Sequence, residues 1–185
     1  MKYQKFKFLC FLILVSCSDK LTGQSSFSEA NQYFLSIDSN YVSKSETKAK
    51  EFKGISFEDS QMDDRGLSYF IFFPNLGSLN LGRTKITDAG LSHLLVLKKL
   101  ESLYIYQTAI TCNGIKEIEK IQSLVKLDIS YNTGINDSCI ENIARMKRLT
   151  SIELGSTSIS LDGSARLRKL RPDMQVSRFE ESGNY

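Results

Sequence analysis

The chain has 185 residues, 41% hydrophobic and 24% charged, a composition that suits one globular core and excludes a disordered chain or a multi-spanning membrane protein. Of its 24 lysines and arginines, Lys2, Lys5 and Lys7 precede a short apolar run, and the remainder balance the 21 aspartates and glutamates. A nucleic-acid-binding chain usually carries a concentrated basic excess, so this balance argues against that class.

Met1 to Lys7 is a short basic region and Phe8 to Val15 an eight-residue apolar run. A membrane span needs about 18 or more apolar residues, so the run reads as an export signal. It ends in Leu14-Val15-Ser16-Cys17, which resembles the lipobox of bacterial lipoproteins: branched apolar residues, a small residue, then the cysteine whose thiol is acylated before cleavage. The resemblance implies a signal peptide over 1–16, lipidation (palmitate-type acyl chains) at Cys17 and placement in the bacterial cell envelope. Several acyl chains hold a protein at a bilayer where one binds marginally. An ordinary secretory signal with Cys17 as a bystander is the alternative. Residues 17–26 are polar and aperiodic, as a tether is.

A repeat array follows, and such an array leaves the apolar side of its first unit open. Residues 27–51 are the segment available to cover it. Ser28 reads as a helix N-cap, Tyr33, Phe34 and Ile37 fall at helical spacing, and the helix is expected to end near Asp38 to Asn40. Tyr41 and Val42 suggest a short extended piece, and Ser43 to Lys50 a charged loop. The competing reading makes the whole segment linker.

From residue 52 to 176 the apolar residues recur on a period of 24. Phe52, Leu76, Leu100, Leu124 and Leu149 set the phase, with one residue inserted in the fourth unit, where Gly134 is the expected insertion. Internal repeats of this length mean a solenoid. Each unit has two halves with different periods: Leu79 and Leu81 alternate as in a strand, whereas Leu91, Leu94 and Leu97 step by three as on one stripe of a short helix. Ile55/Phe57, Leu103/Ile105, Leu127/Ile129 and Ile152/Leu154 repeat the strand pair, and Leu67/Phe70/Phe73, Ile115/Ile118/Ile121, Ile140/Ile143/Met146 and Leu167/Leu170 the helical stripe.

Polar positions repeat too. Asp63, Thr87, Thr111, Asn136 and Ser160 precede the helical halves, and all are good N-caps. Ser60, Thr84, Thr108, Asn132 and Thr157 follow the strands, where a short polar side chain can satisfy turn backbone groups. Gly66, Gly90, Gly114 and Gly163 share a position at which adjacent coils are expected to approach too closely for a β-carbon, and Cys139 stands there in the fourth coil. Pro172 is expected to end the last helix, the stretch 170–176 to start a sixth, closing strand, and residues 177–185 to be a polar tail.

These features resemble the leucine-rich repeat family, L-x-x-L-x-L with a following polar residue, and Thr84-Lys-Ile-Thr-Asp-Ala-Gly-Leu91 is similar to its cysteine-containing class. The resemblance implies an α/β fold: a right-handed leucine-rich repeat solenoid of about five coils, with a parallel concave sheet and short convex helices. Strands about 4.8 Å apart would make an arc of roughly 20–25 Å, enough for a peptide or one small protein face.

Residues between the strand leucines must face away from the core. Asn80, Tyr104, Tyr106, Asp128, Tyr131 and Glu153 are therefore the candidate protein-binding surface, with Ser56, Glu58, Gln107, Lys126 and Ser130 beside them. Tyrosine gives large contact area at modest entropy cost and is enriched at binding hot spots. A solvated sheet face whose tyrosines cover aliphatic neighbours is the alternative. Cys112 and Cys139 are close in register, either as a disulfide or as small buried side chains. Glu58-Asp59 and Asp63-Asp64 read as capping and solvating carboxylates, with weak calcium binding as the rival. His93 is read as a surface residue, and no metal cluster, catalytic triad or phosphate loop is recognisable. The expectation is a membrane-anchored, non-enzymatic binding protein without a cofactor, favoured as a monomer, contacting a host or envelope protein or peptide and no nucleic acid. An intracellular adaptor of the ubiquitin-ligase type is the rival.

Overall fold

The computed structural model describes residues 26–38 and 45–178. The signal, Cys17, nearly all of the tether, Tyr41 and Val42 lie outside the described residues.

The first residue of each alternating apolar pair is the middle of a three-residue strand, and Val176 that of a sixth: β1 (Gly54–Ser56), β2 (Ser78–Asn80), β3 (Ser102–Tyr104), β4 (Lys126–Asp128), β5 (Ser151–Glu153) and β6 (Gln175–Ser177). All six pair in parallel, in chain order, as one open sheet. Parallel neighbours need a crossover between them, and here the helical half of each coil supplies it. The register follows the repeat, so Ile55, Leu79, Leu103, Leu127, Ile152 and Val176 form one row across the sheet. The chain is an α/β solenoid with the sheet on one side and the crossover helices on the other.

Those crossovers are α3 (Asp64–Leu67) continued by a 3-10 turn over Ser68–Phe72, a 3-10 helix over Asp88–Val96, α4 (Cys112–Ile118), a 3-10 turn over Asp137–Cys139 leading into α5 (Ile140–Ala144), and α6 (Leu161–Leu170). The step of three at Leu91, Leu94 and Leu97 is the 3-10 period itself, and all three are buried. Ile115, Ile118 and Ile121 have the same step, the first two on an α-helix and the third just past its end, so spacing alone does not choose between the two.

Ahead of the array stand α1 (Phe27–Ile37) and α2 (Glu46–Ala49). These helices differ from the expected segment in two respects. The N-cap is Ser26, not Ser28, accepting from the Glu29 N–H at 3.1 Å; starting there brings Phe27 edge-on to Phe72, ring centroids 5.7 Å apart. The expected loop at 43–50 contains a helical turn capped by Ser45, and this turn buries Ala49. Phe34 of α1 is fully buried, stacks on Phe57 at 4.9 Å and meets Phe70 and Phe73 at 5.8 and 5.7 Å. An aromatic layer thus closes the column that leucine and isoleucine fill further along.

At the other end Leu170 departs from the expected helical stripe. It is 44% exposed, because α6 is the last crossover and no coil among the described residues packs beyond it. The buried residue there is Arg171, whose guanidinium donates to the carbonyls of Met146 at 2.8 Å and Leu149 at 2.7 Å and pairs with Asp173. It ties the last coil to carbonyls of the loop that follows the preceding helix, sharing that of Met146 with the Leu149 N–H. The closing strand runs one residue past the expected boundary, to Ser177.

Candidate functional site

The concave face is placed by two devices repeated at every coil. The first is the corner where each crossover begins. All five expected caps form: Asp63, Thr87, Thr111, Asn136 and Ser160 accept from N–H groups two or three residues on. Each cap is also held by the coil before it. The Asp64 carboxylate accepts from the Thr87 N–H at 2.7 Å and hydroxyl at 2.5 Å. Asp88 does the same for Thr111, and Asp137 for Ser160. These two bonds hold the Asp137 carboxyl below the usual aspartate range.

Gly90, Gly114 and Gly163 sit three residues after their caps because that carboxylate lies where a side chain would begin, while at Gly66 Tyr33 and Met62 fill the place. A β-carbon at Gly114 would stand 2.3 Å from Asp88 Oδ1, and one at Gly163 would stand 2.1 Å from Asp137 Oδ1. The junction of the third and fourth coils breaks both rules at once, with cysteine in place of the third coil's aspartate at 112 and of the fourth coil's glycine at 139. The two cysteines form a disulfide, Cα atoms 5.2 Å apart, which decides between the two readings of the sequence. At the first coil the cap helix takes over the same task. The Tyr33 hydroxyl accepts from the Asp63 N–H at 3.1 Å and donates to its carboxylate at 2.7 Å. Burial first, and then the Asp63 carboxylate, push this phenol up to about 12. At the fifth coil the aspartate position is Leu161, 66% exposed, and the ladder stops.

The second device is the turn leaving each strand. Asp59, Arg83, Gln107, Tyr131 and Ser156 all adopt left-handed backbone, φ between 51° and 59°. The next residue ties the turn down: Thr84, Thr108 and Thr157 donate hydroxyls to the carbonyls of Leu81, Ile105 and Leu154. Asn132 spans two coils, donating to the Ile105 and Ile129 carbonyls while accepting from the Thr108 N–H. The inserted residue is Thr133 rather than Gly134, since Gly134 bridges Thr111 as Ala109 bridges Thr87.

With the strands so fixed, Ser56, Asn80, Tyr104, Asp128, Glu153 and Ser177 stand side by side on the face away from the core. The six residues expected to form the site divide into two groups. Tyr106 and Asn80 are engaged internally. The Tyr106 ring lies over Gly82, where an added β-carbon would be 2.3 Å from it, and its hydroxyl donates to Glu58, so this one side chain reaches across three coils. Asn80 donates to the same carboxylate at 2.9 Å. Arg83 completes the group, donating to Glu58 at 2.6 Å and forking onto Asp59 at 2.5 and 2.6 Å, with its guanidinium 5.3 Å from the Tyr106 ring centroid. Arg83 holds the Asp59 carboxyl below its ordinary range, while burial and Glu58 push Tyr106 up to about 12.

Tyr104, Asp128, Tyr131 and Glu153 form the second group, on the neighbouring coils. Tyr131 is 53% exposed. One Asp128 oxygen accepts from the Ser130 N–H and hydroxyl. A Glu153 carboxylate oxygen is sealed from solvent and, among the described residues, meets no donor. Sequence reasoning missed Arg83; the available signal was Gly82, a gap beside Tyr106 in the same strand-exit row as Glu58 and Ser130.

The four acidic residues at the first coil work internally: Glu58 and Asp59 on Arg83, Asp63 on its helix and Tyr33, Asp64 on Thr87. Among the described residues no group of three or more His, Cys, Asp or Glu is placed to hold a metal ion. His93 is exposed on the convex side. A groove of about 760 Å³ on that side, lined by Glu119, Ile121, Arg145 and Met146 among others, has the Glu119–Arg145 ion pair at its wall.

The fold is leucine-rich-repeat-like. No family model matches the sequence, and no curated protein matches it. Among solved structures, a leucine-rich repeat protein of Leptospira interrogans is similar, with 30% identity over 60% of this chain and 27% of that one and a TM-score of 0.46. The matched part thus spans about a quarter of that protein's length, and at that score the likeness adds no weight to the coil geometry described above.

Proposed function

We propose that this protein is a lipid-anchored, non-enzymatic binding protein of the bacterial cell envelope, presenting the concave face of its repeat arc to a protein or peptide. The observation that carries the reading is the in-register row on the sheet face, in which Tyr104, Asp128 and Glu153 stand side by side with exposed Tyr131 at the rim. An arc of short parallel strands backed by a continuous apolar column is a rigid platform, and rigid aromatic side chains bind at low entropic cost.

The Cys112–Cys139 bridge supports export, since disulfides persist in oxidising compartments and are rare in the cytosol. The same bridge weighs against the intracellular adaptor. No helix among the described residues is long and apolar enough to cross a membrane, so attachment is assigned to acylated Cys17, which lies outside them. Two measurements test the reading. Incorporation of a clickable fatty acid should vanish in Cys17→Ala; labelling that persists overturns the anchor. A partner cross-linked from intact cells should be lost when Tyr104 and Tyr131 become alanine together, and unchanged capture overturns the choice of face.

A further inference from the structure

Resting on that assignment of the concave face, we propose that its second half recognises an arginine side chain of an extended basic peptide segment. The chain itself shows the chemistry. Over coils one to three, two carboxylates, Glu58 and Asp59, and the face of Tyr106 hold one guanidinium, that of Arg83. Over coils three to five the same ingredients recur without the cation: Asp128 and Glu153 on adjacent strands, Tyr104 on the strand before them and Tyr131 at the rim.

Neither carboxylate forms an ion pair among the described residues. Two carboxylates on neighbouring strands thus lack a counter-ion, and Asp128 accepts only from Ser130 among the described residues, which leaves hydrogen-bonding capacity unused. A guanidinium offers five donors in a planar fork and stacks on aromatic faces, so it answers both deficits together; an ammonium is a more strongly hydrated point charge. The nearest basic side chains of the chain do not fill the place. Lys126 precedes Asp128 by two residues without an ion pair to it, and Arg178 is turned onto the Ile159 carbonyl at 2.7 Å. The extended form of the ligand follows from the surface, a shallow strip along which a strand-like segment can lay successive side chains.

The test uses the full chain and two blocked peptides: Gly-Arg-Gly-Arg-Gly and its citrulline counterpart, which keeps the shape and hydrogen-bonding plane but loses the charge. Affinities are read by calorimetry at physiological salt. The arginine peptide should bind at least tenfold more tightly than the citrulline peptide. Asp128→Asn and Glu153→Gln should each weaken it roughly five- to tenfold, and Tyr131→Ala about two- to fivefold, the size of an exposed cation–π contact. Glu117→Gln on the convex side should leave it unchanged. Equal affinity for the two peptides, no binding of either, or an equal loss in Glu117→Gln overturns the proposal. If a captured partner is lost with the tyrosine pair but retained by Glu153→Gln, the concave face stands and the arginine reading falls.

Discussion

Replacing the Cys112–Cys139 bridge by the aspartate–glycine pair that joins the other coils separates the covalent part of that corner from the hydrogen-bonded part. The bridge closes 27 residues, and the chain-entropy relation gives about 3.6 kcal/mol for a loop of that length. Reduction should therefore lower Tm by roughly 7–14 °C at 2–4 °C per kcal/mol for a chain of this size. In Cys112→Asp/Cys139→Gly the new carboxylate can accept from Asn136 as Asp88 accepts from Thr111, where the two bonds measure 2.8 and 2.6 Å. Hydrogen bonds to a charged group contribute about 1.5–3 kcal/mol, so this variant should exceed Cys112→Ala/Cys139→Gly by that amount while staying below the oxidised parent. Circular dichroism during thermal unfolding gives Tm with and without reductant, and during urea unfolding the stabilities of the two variants and the parent. The reasoning is refuted if the aspartate variant is no more stable than the alanine comparator, or if reducing the parent moves Tm by less than about 2 °C.

Phe34→Ala should cost about 3–5 kcal/mol, the range for emptying a buried aromatic site, since Phe34 is fully buried against Phe57, Phe70 and Phe73; a loss below 1 kcal/mol in urea unfolding would mean that α1 does not close the core. Ser156→Gly should stabilise by roughly 0.5–1 kcal/mol, because the left-handed residue is relieved of about 1–2 kcal/mol of strain and glycine returns part of that as entropy; any loss of stability contradicts the turn. Tyr33 and Tyr106, both pushed up to about 12, bind their protons more tightly folded than unfolded. Their contribution is complete below the unfolded phenol value near 10 and disappears as pH rises through about 12. Absorbance at 295 nm should show both titrating late, and Tyr106→Phe should flatten the alkaline loss of stability.

Several features were legible in the sequence because a solenoid makes the same contact in every coil, so that each requirement is written several times. The five caps, the strand pairs and the helical stripes, Leu170 excepted, appear where expected. The shared glycine was legible as a close approach, but the approaching group was not. Asp64, Asp88 and Asp137 read as ordinary first-turn acids until the fold brings each against the next coil's cap. The candidate surface was legible as a row, but not which of its side chains bond to other coils. Tyr104, Asp128, Glu153 and Tyr131 remain available, whereas Tyr106 and Asn80 are engaged by Glu58 and Arg83.

Periodicity alone thus determined the stacking of this chain and the face that each residue occupies, because burial alternates with a period the sequence displays. Tertiary structure alone decided which of those outward residues are already engaged: Glu58 and Tyr106 are 48 positions apart, and only stacking the coils brings charges and rings of different coils within bonding distance. It likewise decided that Cys112 and Cys139 are joined, since two cysteines in neighbouring coils can bond only when the crossover helices bring their α-carbons to within about 7 Å.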